Sequence, residues 1–220
     1  MFLSRVELKP NLADHPAFWG EIESLYSAHQ ALWQLFSDGP DRKRDFLFRQ
    51  ERGGSKARFY LLSSRKPVDQ RGMWTIETKA FAPRLTKGQV LRFAVRINPT
   101  QRASAGPAAG KRHDVVMHAK RSLREEGKLI FEPAAVQGAG EAWIRSRGER
   151  AGFVIEEGNV RVEGYRQVRI RGREDDIQFS TVDCEGLLTV MEPEQFWSML
   201  RAGLGPAKAF GCGLMLIRPA

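Results

Sequence analysis

Between Gly203 and Leu214 the chain reads Gly-Leu-Gly-Pro-Ala-Lys-Ala-Phe-Gly-Cys-Gly-Leu, so four glycines and a proline surround one lysine. No regular element runs through such a stretch, because glycine gives up backbone restraint and proline lacks an N–H. Pro193 to Ala202, just before it, carries Phe196, Trp197, Met199 and Leu200 and predicts a short helix; Leu214 to Ile217, just after, predicts a final strand. The stretch is therefore a helix-to-strand loop. Its backbone N–H groups can form a concave anion site beside Lys208, or its glycines can simply cap the helix and turn the chain. It fits neither common nucleotide loop. Lys208 is followed by Ala209 rather than Ser or Thr, and no Gly-x-Gly-x-x-Gly spacing is present.

Upstream, Phe2 to Leu8 alternates as a strand, and Asp14 with Pro16 opens a helix. Phe18, Ile22, Leu25, His29, Leu32 and Phe36 recur at spacings of four and three, which is a helical stripe ended by Asp38-Gly-Pro40. Phe46–Gln50 and Ala57–Leu62 predict a hairpin around Gly53-Gly54. Met73 to Phe81 is ambiguous and fills the place of a second helix. Val90 to Asn98 alternates an apolar face with one bearing Arg92 and Arg96, so both arginines are expected to point outward. The order β-α-β-β-(α)-β is the ferredoxin-like pattern. Pro99 to Gly110, rich in Gly, Ala, Ser and Pro, reads as a linker. The expected division is 1–98, a linker at 99–112, and 113–220. The second half also mixes strands with helices, Gly138–Arg150 being a helix with a basic face, so the fold class is α+β.

A formal charge of +9, carried largely by arginine, favours an anionic partner, and the planar guanidinium fork suits nucleic-acid phosphates. No apolar stretch is long enough for a membrane span and no secretory segment is visible, so a cytoplasmic protein is expected. Two cysteines, Cys184 and Cys212, make no disulfide framework and no zinc spacing; both are expected to be small buried residues. No metal and no cofactor is expected.

Tyr26 and His29 share a helix side at a spacing of three. A histidine that titrates near neutrality can move protons in RNA cleavage by the 2′-hydroxyl, although a histidine on an apolar stripe is more often a core residue. His15, His113 and His118 read as structural. Gly164 to Arg173 is the densest basic stretch, with Arg166, Arg169, Arg171 and Arg173, and with Tyr165 available to stack; Glu174-Asp175-Asp176 follows and can neutralise part of it.

Gly203-x-Gly205-Pro206-x-Lys208-x-x-Gly211-x-Gly213-Leu214 closely resembles the C-terminal signature of the CasE-type CRISPR precursor-RNA endoribonucleases of type I-E systems. Met1-Phe-Leu-Ser-Arg5, Tyr26-Ser-Ala-His29, Arg44-Asp-Phe-Leu-Phe48, Arg96-Ile-Asn-Pro99, Gly110-Lys-Arg112 and Glu185-Gly186 fall in the family's order across the whole chain. The resemblance implies two tandem ferredoxin-like (RRM-like) domains with antiparallel sheets. It implies a metal-independent endoribonuclease that binds a CRISPR repeat RNA hairpin, cuts it to a 2′,3′-cyclic phosphate and a 5′-hydroxyl, retains the product and joins a Cascade complex. Tyr26 and His29 match the family's catalytic pair. Lys111, Arg112, Arg166, Arg169 and the loop residues Gly203, Gly205, Lys208, Gly211 and Gly213 are the RNA-binding candidates. The alternative is a non-catalytic RNA-binding subunit in which His29 is core.

Overall fold

The computed structural model describes residues 1–10, 25–36, 44–51, 57–102, 110, 112–127, 131–170 and 176–220, with backbone alone for 25–27. Asp14, His15, Pro16, Phe18, Ile22, the breaks at Asp38-Gly-Pro40 and Gly53-Gly54, Lys111, Arg171 and Arg173 lie outside the described residues. The chain divides into two compact units, Met1–Arg84 with Ala207–Leu214, and Leu85–Pro206 with Met215–Ala220.

The first unit holds β1 (Phe2–Leu8), α1 (Leu25–Trp33), a 3-10 turn at Gln34–Phe36, β2 (Phe46–Glu51), β3 (Arg58–Ser63) and β4 (Trp74–Ala80). Its sheet is antiparallel in the order β2-β3-β1-β4, the order a ferredoxin-like unit requires. In β1 the period of two puts Ser4, Val6 and Leu8 into the interior, where Ala28 and Leu32 of α1 and Leu35 and Phe36 beyond it meet them. The opposite face is a lattice of charges, with Arg5 on Glu77 at 2.6 Å and Arg58 on Glu7.

The ambiguous segment Met73–Phe81 is the fourth strand, not a second helix. Pro67 breaks the chain before it. Trp74–Ala80 then pairs residue by residue with Phe2–Leu8 of β1, and the β-branched Thr75, Ile76 and Thr78 favour that extended backbone.

The second unit holds β5 (Val90–Ile97), β6 (Thr100–Arg102), β7 (Arg112–Asp114), α2 (Val115–Glu125), α3 (Glu132–Arg150), β8 (Phe153–Val154), β9 (Val160–Ile170), β10 (Ile177–Val190), α4 (Pro193–Ala202) and β11 (Met215–Pro219). Its main sheet runs β11-β5-β10-β8, with the long β9 also paired to β10. Phe93, Val95 and Ile97 face Trp143 and Ile144 of α3 and Phe196 and Leu200 of α4 in one core.

Two expectations change here. Val90–Asn98 does not close the first sheet: β5 pairs with β10 and β11, and the division falls at Arg84/Leu85. The supposed linker at 99–112 belongs to the second unit, where its described ends pair as β6 and β7. Arg96 is a third correction. It is 4% exposed rather than outward, because Asp183 stands opposite it in β10 and takes its guanidinium at 3.0 Å. Both cysteines are buried as expected, Cys184 within β10 and Cys212 in the loop before β11.

Candidate functional site

In the first unit α1 carries His29 toward β2. The imidazole lies stacked 6.0 Å from the ring of Phe48, 6.1 Å from Phe46, and edge-on 5.7 Å from Trp33. Its Nε2 is buried and has no hydrogen-bond partner among the described residues. Burial lowers the pKa of this histidine, and the neighbouring charge of Arg44 lowers it further. Both effects favour the neutral imidazole, the form able to accept a proton. Tyr26 stands three residues earlier in the same helix; its side chain is outside the described residues.

Arg44 sits two residues before β2 and is half-buried, and that burial disfavours its charge. The adjacent carboxylate is engaged elsewhere. Asp45 accepts Arg65 at 2.8 and 3.3 Å and Ser64 at 3.1 Å, and Arg65 is what chiefly holds its pKa down.

The glycine-rich loop supplies the second cation. Ala207 enters a short 3-10 turn, Lys208–Phe210, at φ 57, the one positive φ outside glycine among the described residues. Left-handed backbone at a residue with a Cβ costs about 1–2 kcal/mol, and such strain persists only where the surroundings hold it. Here the Ala207 carbonyl accepts the N–H groups of Phe210 at 2.9 Å and Cys212 at 3.4 Å. The turn packs on both α1 and β2. Lys208 is half-buried, and burial first, then Arg44, lowers its pKa. Arg44 is thus the electrostatic neighbour of both His29 and Lys208. Basic groups crowded in this way favour an anion, whose arrival offsets their mutual repulsion.

The four loop glycines do different jobs. Gly203 caps α4, its N–H donating to the Met199 carbonyl at 2.8 Å, and a Cβ on Gly205 would lie 2.9 Å from Cη2 of Trp143; both belong to the second unit. Gly211, at φ 80, lets the chain lie against Phe48, where a Cβ would stand 3.2 Å from Cε2. Gly213 is buried beside it in the chain.

The other basic candidates lie in the second unit. Arg112 of β7 and Arg169 of β9 line one open groove of about 570 Å³, whereas Arg166, exposed on β9, does not. Arg169 is paired with Asp176 at 2.6 Å, so part of the neutralisation expected from the acidic run occurs. Tyr165 is engaged rather than available to stack. Its hydroxyl donates to Asp114 at 2.8 Å, Lys120 lies 4.6 Å over its ring, and burial together with Asp114 pushes its pKa up to about 12. His113 and His118 approach to 5.3 Å between rings, but no group of three potential metal ligands occurs among the described residues.

Sequence reasoning brought Lys208 and His29 forward but did not single out Arg44. Nothing local marks it out: it ends the basic run Arg42-Lys43-Arg44 ahead of Phe46-Leu47-Phe48.

Residues 1–219 match the family described as "CRISPR associated protein". The chain is 30% identical to the CRISPR system Cascade subunit CasE of Escherichia coli, over 89% of this chain and 92% of that protein. It is 32% identical to the CRISPR-associated endoribonuclease Cse3 of Thermus thermophilus, over the full length of both. Its fold is similar to that of Thermus thermophilus Cse3 bound to an RNA representing a pre-cleavage complex, with a TM-score of 0.75 at 27% identity, covering 99% of this chain and 98% of the other. No described helix is long and apolar enough to cross a membrane.

Proposed function

The chain belongs to the CRISPR-associated protein family of CasE-type endoribonucleases, and on that premise we propose that it cuts precursor CRISPR RNA at the repeat hairpin without a metal ion. The observation that carries this reading is the imidazole of His29, its Nε2 unpartnered among the described residues, in one unit with two half-buried cations, Arg44 and Lys208.

The chemistry balances with these groups. His29 accepts the proton of the 2′-hydroxyl as its oxygen attacks the adjacent phosphorus. Arg44 and Lys208 hold the charge that builds on the phosphorane oxygens. The P–O5′ bond breaks and the leaving oxygen takes a proton, which we assign to Tyr26, leaving a 2′,3′-cyclic phosphate and a 5′-hydroxyl. Acid–base help of this kind is worth about 10²–10⁴ in rate. Arg166 grips the RNA stem through its phosphates, since duplex RNA is read mostly by shape and backbone, and Lys111, Arg112 and Arg169 bind the RNA beside it. The cut RNA stays bound and carries the protein into a Cascade assembly, as the name of the Escherichia coli relative suggests. Because its substrate is a transcript, its place of work is the cytoplasm.

The buried Nε2 of His29 favours one alternative, a subunit that binds RNA without cutting it. Incubation with a labelled repeat hairpin in EDTA, beside His29→Ala, separates the two. One discrete cut ending in a cyclic phosphate, lost in the variant while RNA affinity is kept, is the expected result. Tight binding without cutting by either protein would return His29 to the core.

A further inference from the structure

The groove in the second unit is built differently from a phosphate track. Register pairs Gln178 with Arg169 and Ser180 with Gln167 across β9 and β10, so these four residues share one face of the hairpin. Arg166 alternates to the other face. The groove is also lined by Arg112, Asp114 and Met117 and by Asn98 and Thr100.

Charge in it is largely spent. Arg169 is answered by Asp176, and the Asp114 carboxylate takes the N–H groups of Val116 and Met117 and the Tyr165 hydroxyl. What remains is a set of side-chain amides and hydroxyls with Arg112, beside the apolar Met117, Val168 and Phe179. Asn98 is 6% exposed, yet its Oδ1 has neither solvent nor a hydrogen-bond partner among the described residues. A buried carbonyl left in that condition is costly unless something completes it. The segment that carries Asn98 and Thr100 is tied in place by hydrogen bonds. The Thr100 carbonyl accepts Trp143 Nε1 at 2.9 Å, the Thr100 N–H donates to Asn98 O at 2.9 Å, and Val115 N–H donates to Pro99 O at 3.0 Å.

We propose that this groove takes one unpaired nucleotide of the bound RNA, its base edge met by the amides of Asn98, Gln167 and Gln178 and its phosphate by Arg112. An amide presents a donor beside an acceptor, which is what a base edge presents in return. Hydroxyls such as that of Thr100 suit a ribose 2′-hydroxyl. A volume of about 570 Å³ is in the range of small-molecule sites. The inference rests on the proposed RNA binding and adds a reading of single-stranded sequence beside the stem.

The test measures affinity for a repeat hairpin with single-stranded flanks, each flank nucleotide made abasic in turn, and for the same hairpin with blunt ends. One flank position should lose roughly tenfold when its base is removed. Gln178→Ala, a change at an exposed residue, should lose a similar factor on the intact RNA and little more on the abasic one, because both remove the same contact. Asn98→Leu, checked for folding by thermal unfolding, should behave likewise. Flank positions that all prove indifferent, or losses that multiply, would overturn the groove assignment while blunt-hairpin binding kept the broader reading intact. Failure to bind any hairpin would remove both.

Discussion

Gly211→Ala tests whether the glycine-rich loop holds the histidine pocket in shape. Gly211 has φ 80, and a Cβ there would stand 3.2 Å from Cε2 of Phe48, a ring with no exposed surface that stacks on His29. The backbone contribution is about 1–2 kcal/mol for an L-residue in the left-handed region. The contact adds about 1–2 kcal/mol, at the lower end for overpacking, since the ring must give by a few tenths of an ångström. Gly72→Ala is the control within the same unit: φ is 70, and nothing lies within 4 Å of the added Cβ. Urea unfolding should therefore show Gly211→Ala losing about 2–4 kcal/mol and Gly72→Ala only about 1–2. Single-turnover cleavage should fall roughly tenfold for Gly211→Ala alone, with RNA affinity unchanged, because small misplacements of a reacting group are expensive. Equal stability and equal rate for the two variants would refute the reasoning.

Arg44→Ala should lower the cleavage rate by about 10²–10³ with folding retained, as loss of a charge-stabilising donor does; single-turnover rates check it. The pH–rate profile should have its acid limb below 6.5, since burial and Arg44 both favour neutral His29, and Arg44→Ala should move that limb upward without restoring it fully. The same shift bears on stability. The unfolded chain binds more protons than the folded one between the folded pKa and 6.5, so stability falls as pH drops through that window, and His29→Leu should flatten the fall in urea titrations. Arg96→Met removes a charged partner of Asp183 within the second sheet and should cost about 3 kcal/mol, while adding Asp183→Leu should recover most of it.

Much of the fold was legible because its elements keep a simple period. β1, β2 and β3 alternate or run apolar, and the stripe through His29 and Leu32 marks α1. The sequence was silent where a local pattern needs a distant partner to decide it. Alternation in Val90–Ile97 identifies a strand but not which sheet it joins, and Arg96 reads as outward until Asp183, 87 residues on, accepts it. The helix at Val115–Glu125 hid inside a basic run, although Asp114, which accepts from Val116 and Met117, was a readable cap. At the site, His29 and Lys208 showed themselves by residue type and spacing. Arg44 did not, because its importance lies in being near both, and nearness across the chain has no local signature.

The return of Ala207–Leu214 to the first unit also sets an order of events during synthesis. A growing chain can pair β1 to β4 early, but the wall of the pocket that carries Lys208 and presses on Phe48 emerges only after everything from Leu85 to Pro206 has been made. At ordinary translation speeds that wait is on the order of ten seconds. Nascent and prematurely terminated chains therefore lack a finished pocket, and cutting begins only once the fragment that follows α4 has come home.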